Sequence, residues 1–101
     1  MAAFIIVAEA TDVPPGRGRT VRIGEREFAL FNIDGEFFAL DGQCPHRGGP
    51  LGAGITENSR VSCPLHGWEF DVKTGCCIDH PDRWADCFPA RVVDGKVEIC
   101  V

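Results

Sequence analysis

The sequence predicts an all-β domain, a small sandwich or barrel of short antiparallel strands. Three observations predict it. No segment keeps a 3.6-residue apolar period over three turns. Twelve glycines and seven prolines cut the chain into short pieces. Asp-Gly pairs at 34–35 and 94–95 each separate two strand-like runs, the strongest short-range hairpin signal.

Phe4–Val7 is the first strand, an apolar run closed by Glu9. Pro14-Pro15-Gly16-Arg17-Gly18 is a loop, since proline and glycine punctuate it. Thr20–Ile23 and Glu27–Ile33 are strands separated by Gly24-Glu25-Arg26. Glu36–Asp41 returns after the first Asp-Gly turn. Val61-Ser62 leads into a loop and Trp68–Val72 leads out of it. Arg91–Val93 and Lys96–Val101 form a closing hairpin. In it Val97, Ile99 and Val101 share one face, and Lys96, Glu98 and Cys100 share the other. The region 42–86 is richer in Cys, His, Gly and Pro than either flank. It reads as a subdomain inserted between framework strands, where function usually sits.

Composition narrows the function classes. The 101 residues support one domain, predicted to span 1–101. A 45% apolar and 25% charged balance excludes intrinsic disorder. No run of 18 apolar residues exists to span a membrane. A formal charge of −5 argues against a nucleic-acid partner and favours one with a basic docking face. The six cysteines invite a disulfide reading, which would require secretion. The opening Met-Ala-Ala-Phe-Ile-Ile-Val-Ala-Glu lacks a positive leader region, so the expected compartment is the cytoplasm. There, closely spaced cysteines more often bind metal than form bridges.

Two loops carry the candidate chemistry: Cys44-Pro45-His46-Arg47-Gly48-Gly49-Pro50 and Cys63-Pro64-Leu65-His66-Gly67-Trp68. Each offers one thiolate and one imidazole, and sixteen residues separate His46 from Cys63. Glycine lets backbone approach a bulky group, and proline stiffens the loop. Two metal readings fit these residues. A structural zinc ion would take all four ligands tetrahedrally, although zinc patterns usually pair like ligands. A two-iron, two-sulfide cluster with cysteine on one iron and histidine on the other suits clips that each mix Cys with His.

The pattern Cys-x-His, sixteen residues, Cys-x-x-His resembles that of the Rieske-type [2Fe–2S] ferredoxin family. The contexts Pro-His-x-Gly-Gly-Pro-Leu and Pro-Leu-His-Gly-Trp match, as do Phe70-Asp71 and Thr74-Gly75 downstream. The resemblance covers essentially the whole chain. It implies one [2Fe–2S] cluster per chain, with Cys44 and Cys63 on the buried iron and His46 and His66 on the outer iron. It implies a soluble one-electron carrier between a reductase and a terminal oxygenase. The contexts are similar also to the small subunit of NAD(P)H-dependent assimilatory nitrite reductase, whose large subunit would then be the partner. An interaction module holding structural zinc is the reading from another class.

High-potential members of the family join the two loops by a disulfide at the positions of Gly49 and Leu65. They place serine and tyrosine hydroxyls at the positions of Trp68 and Phe70. This chain has neither pair, and it contains no tyrosine. Donors to sulfur stabilise the reduced cluster, so a low potential is expected.

The remaining candidates read plainly. Cys76 and Cys77 are adjacent and would point to opposite faces of a strand. They, Cys87 and Cys100 read as small hydrophobes or surface thiols. His80, in Asp79-His80-Pro81-Asp82, reads as a solvated loop histidine on a segment that could cover the cluster loops. Trp68 and Trp84 read as packing residues over those loops. No nucleophile elbow or carboxylate pair marks a catalytic site, so the chain is expected to be an electron-transfer component rather than an enzyme.

Overall fold

The computed structural model describes residues 3–45, 48–65 and 67–101. Ten strands are present among them: β1 (Phe4–Glu9), β2 (Arg17–Ile23), β3 (Arg26–Ile33), β4 (Glu36–Asp41), β5 (Ile55–Glu57), β6 (Arg60–Ser62), β7 (Glu69–Asp71), β8 (Cys87–Phe88), β9 (Ala90–Val93) and β10 (Lys96–Cys100). Short 3-10 turns lie at Ala10–Asp12 and Leu51–Ala53. All pairings are antiparallel, in three sheets ordered β1-β10-β9, β2-β3-β4-β8 and β5-β6-β7. The all-β expectation stands. No helix among the described residues is long and apolar enough to cross a membrane.

The middle sheet explains the architecture. Phe28-Ala29-Leu30-Phe31 on β3 is a continuous apolar run, buried on both faces. Phe28 and Leu30 point into one core, with Val13, Val21, Ala39, Val97 and Ile99. Ala29 and Phe31 point into a second, with Leu40, Leu51, Val61, Phe70 and the site cysteines. A strand alternates faces, so only a sheet covered on both sides can bury such a run. The β1-β10-β9 sheet covers one side. The β5-β6-β7 sheet and the cysteine loops cover the other. Full burial of Phe28 and Phe31 contributes about 1.5–3 kcal/mol each.

Turn chemistry sets the register. Asp34 and Gly35 have φ of 53° and 94°, and Asp94 and Gly95 have 52° and 76°. Both pairs are two-residue turns whose handedness matches the strand twist. Asn32, a buried polar residue, donates to the Val13 carbonyl at 2.8 Å and accepts from the Gly35 N–H at 2.8 Å. The closing hairpin follows the expected alternation, with Val97 and Ile99 fully buried.

Three features depart from the sequence expectation. β2 starts at Arg17, inside the expected loop at 14–18, because Arg17 and Gly18 pair with Asn32 and Phe31. β5 pairs with β6 through Asn58-Ser59, a turn with φ of 49° and 68°. β8 is only two residues, pairing Phe88 with Ala39 and Cys87 with Leu40. It is held by an edge-to-face contact of Phe88 on Phe28 at 5.1 Å, with the Arg26 guanidinium under 5 Å from both rings.

Candidate metal centre

The two cysteine loops share one geometry. The first is closed by the pair Gln43 and Pro50, and the second by Ser62 and Glu69 at the base of β6 and β7. Each closing pair encloses six residues, starting with cysteine. In the first, the Cys44 N–H donates to the Gly49 carbonyl and the Gly48 N–H donates to the Cys44 carbonyl, both at 2.8 Å. In the second, the Cys63 N–H donates to Trp68 at 2.8 Å and the Gly67 N–H donates to Cys63 at 2.9 Å. The fifth position needs a left-handed backbone, and glycine fills it both times: Gly48 has φ +72° and Gly67 has φ +74°. The sequence carried this as Cys-Pro-x-x-Gly in both loops. The Cys-x-His and Cys-x-x-His spacings mask the equal loop length, because the histidine falls one position later in the second loop.

Cys44 and Cys63 are buried, with 2% and 3% exposure, in the same core as Leu51, Val61 and Phe70. None of the six cysteines is joined in a disulfide. The loops touch each other. A Cβ built on Gly49 would lie 2.7 Å from the Cys63 Sγ and 2.9 Å from the Leu65 Cγ. Gly49 and Leu65, where the resembled high-potential proteins carry their bridge, are therefore neighbours here without sulfur. Two of the four expected ligands, His46 and His66, lie outside the described residues, as does Arg47. The structure brings together the two cysteine loops.

A third segment, 76–86, packs beside them. Cys77 pairs with Phe70 and Cys76 with Trp84. The Ala85 N–H donates to the Gly75 carbonyl at 2.8 Å, and the Asp41 N–H to the Asp86 carbonyl at 2.8 Å. Cys77 is fully buried and Cys76 is exposed, as adjacent strand-like positions require. Asp79 accepts from the Glu69 N–H at 2.9 Å, which fixes the segment to the second loop. His80 is exposed as expected, yet it is not merely solvated. Its ring stacks on Trp68 with centroids 3.9 Å apart and planes at 31°. Trp68 is half-buried against the core. Trp84 differs from the expectation of a packing residue, being 61% exposed beside Cys44, Pro45 and Gly48.

Comparison with known proteins places the chain in a family. The Rieske [2Fe-2S] domain family matches residues 3–89. Mouse and human apoptosis-inducing factor 3 are 40% identical over 75 residues, 74% of this chain. The chain spans only 12% of their length. The 3-phenylpropionate/cinnamic acid dioxygenase ferredoxin subunit of Photorhabdus laumondii is 36% identical over 96% of this chain and 93% of its own. Among solved structures, a ferredoxin–oxygenase complex of carbazole 1,9a-dioxygenase matches with TM-score 0.86 and 30% identity, covering 95% of this chain and 91% of that one. A Mycobacterium tuberculosis chain described as an NADH-dependent nitrite reductase small subunit matches with TM-score 0.91 and 25% identity, covering all of this chain and 96% of that one. The chain belongs to the Rieske [2Fe-2S] domain family.

The described residues fit that family's cluster. Two thiols sit at matching positions of two like loops, inside an apolar core that excludes water. Gly49 lacks the Cβ that would press on one of those sulfurs. A cofactor of this size needs that combination of buried soft donors and close backbone.

Proposed function

We propose, from that membership, that the chain is a one-electron carrier rather than an enzyme in its own right. It works in the cytoplasm between a reductase and a terminal oxygenase, as a single Rieske domain spanning 1–101. Cys44 and Cys63 bind the buried iron of the cluster, and His46 and His66 bind the outer iron. When bound, the cluster supplies a site that accepts and releases one electron.

The chain's own residues determine how that site behaves. Cys44 and Cys63 contribute thiolates that offset the charge of the oxidised cluster core. Neutral imidazoles at His46 and His66 add no further negative charge, which makes reduction easier than at an all-thiolate site. Leu51, Val61 and Phe70 exclude water from the cysteine side. The His80–Trp68 stack braces the second loop, because the Trp68 carbonyl accepts the Cys63 N–H.

The observation that carries this reading is the pair of like cysteine loops in contact through Gly49. Purified protein is expected to be red-brown, with two irons and two sulfides per chain and an anisotropic EPR signal on reduction. One zinc with no iron or sulfide, in a colourless protein, would overturn it in favour of the structural-zinc reading. The strong likeness to the nitrite reductase small subunit sustains a second reading of the partner. Co-purification with a sirohaem protein instead of an oxygenase would select it.

The potential follows from the loops. Phe70 and Trp68 carry no hydroxyl, and Gly49 and Leu65 carry no sulfur. The expected midpoint lies toward the low end of the Rieske range of roughly −150 to +300 mV. A redox titration ending near the top of that range would contradict it.

A further inference from the structure

Two large apolar side chains stand out in solvent beside the cysteine loops. Leu65, in the second loop, is 54% exposed, and Trp84, beside the first, is 61% exposed. Trp84 forms one wall of a recess whose other walls include Cys44, Pro45, Gly48, Asp41 and Asp86. An exposed tryptophan costs solvation in the free protein, and tryptophan is among the strongest anchors at interfaces. The two carboxylates in the recess are unequal. Asp41 is compensated by Arg26 at 3.7 Å and by the Gln43 N–H at 3.0 Å. Asp86 has no ion-pair partner among the described residues. Its segment adds Asp79 and Asp82 against the single cation Arg83, in a chain of net charge −5.

We propose that the Trp84–Asp86 recess receives a lysine or arginine side chain of the electron-transfer partner. The cation lies over the Trp84 face and pairs with Asp86, while Leu65 makes the apolar contact across the cluster loops. The inference rests on the carrier reading above. Charge complementarity selects a basic partner, because the recess places beside an exposed indole a carboxylate that has no ion-pair partner among the described residues, in a chain of net charge −5. The recess adjoins Cys44, so a partner seated there lies against a cluster loop. The cluster, when bound and reduced, would supply one electron to the partner's oxidised centre, with no proton or bond exchanged.

The test uses cytochrome c, whose haem edge is ringed by lysines, as the probe. Dithionite-reduced protein is mixed with ferric cytochrome c at low ionic strength, and separately with a small neutral quinone. Trp84→Ala and Asp86→Asn are each expected to slow the oxidation by cytochrome c roughly fivefold, the loss of one partly desolvated cation–π or ion-pair contact. Asp86→Asn should also flatten the salt dependence. Oxidation by the quinone should stay unchanged in both variants, as should the EPR signal. Equal cytochrome c rates in parent and variants would overturn the recess while leaving the carrier reading intact. Equal slowing with both oxidants would also overturn it, by tracing the effect to the cluster. A parent protein with no reducible cluster would overturn the carrier reading and the recess with it.

Discussion

Cys63→Ala is expected to abolish cluster assembly, whereas Cys77→Ala is expected to leave it intact. The two substitutions remove the same atom from the same core. Cys63 and Cys77 are 3% and 0% exposed and share the cluster of side chains around Phe70. Both truncations leave a small cavity, worth about 1 kcal/mol for one heavy atom. Burial alone therefore predicts equal damage. Ligation predicts a large difference, because an iron denied one of two thiolates loses most of the free energy of assembly. Iron and sulfide analysis, together with the EPR signal, reads the difference directly. Full iron content in Cys63→Ala, or its loss in Cys77→Ala, would overturn the assignment of the cysteine ligands. The same experiment on His46 and His66 extends the test to the residues outside the described part of the chain, and an unchanged EPR signal there would reject them as ligands.

The fold was legible where a local rule and the tertiary context agree. Asp34-Gly35 and Asp94-Gly95 announced their hairpins because aspartate and glycine tolerate positive φ, and all four residues adopt it. Asn58-Ser59 makes the same kind of turn, but serine rarely accepts φ near +68°, so β5 was not visible. Ile55, which opens that strand, is 76% exposed and gives no burial signal. β8 could not be read either, since two residues carry no period and its pairing is set by the distant Phe28 and Arg26. At the site, residue identity was legible because soft donors at fixed spacing are rare. The contact of Gly49 with Cys63 and Leu65 was not, because it depends on how two loops nineteen positions apart are packed. The exposure of Trp84 was also hidden, since an aromatic residue in a short segment normally signals core.

Gly75→Ala is expected to unfold the third segment from the cysteine loops, and Gly16→Ala provides the comparison that isolates the cause. Both glycines have positive φ, +81° and +80°. An L-residue there costs roughly 1–2 kcal/mol from the backbone alone. The surroundings differ. A Cβ on Gly16 meets nothing within 4 Å, whereas one on Gly75 would lie 1.9 Å from the Ala85 carbonyl oxygen. That oxygen is backbone, so no side-chain rotation relieves the clash. Relief requires Gly75 and Ala85 to separate, which breaks the 2.8 Å bond from the Ala85 N–H to the Gly75 carbonyl. Overpacking adds about 1–3 kcal/mol, and the lost buried hydrogen bond about 1 kcal/mol. Gly75→Ala should therefore cost about 4 kcal/mol and Gly16→Ala about 1 kcal/mol. In a domain of this size each kcal/mol lowers Tm by roughly 4–8 °C, so the two variants should melt at clearly separated temperatures. Because the strained contact lies between Gly75 and the segment bearing Trp84, the Gly75 variant should also become more susceptible to proteolysis within 76–86. Equal melting temperatures for the two variants would show that the clash is absorbed by backbone movement, and that the third segment is not fixed by the Gly75–Ala85 contact.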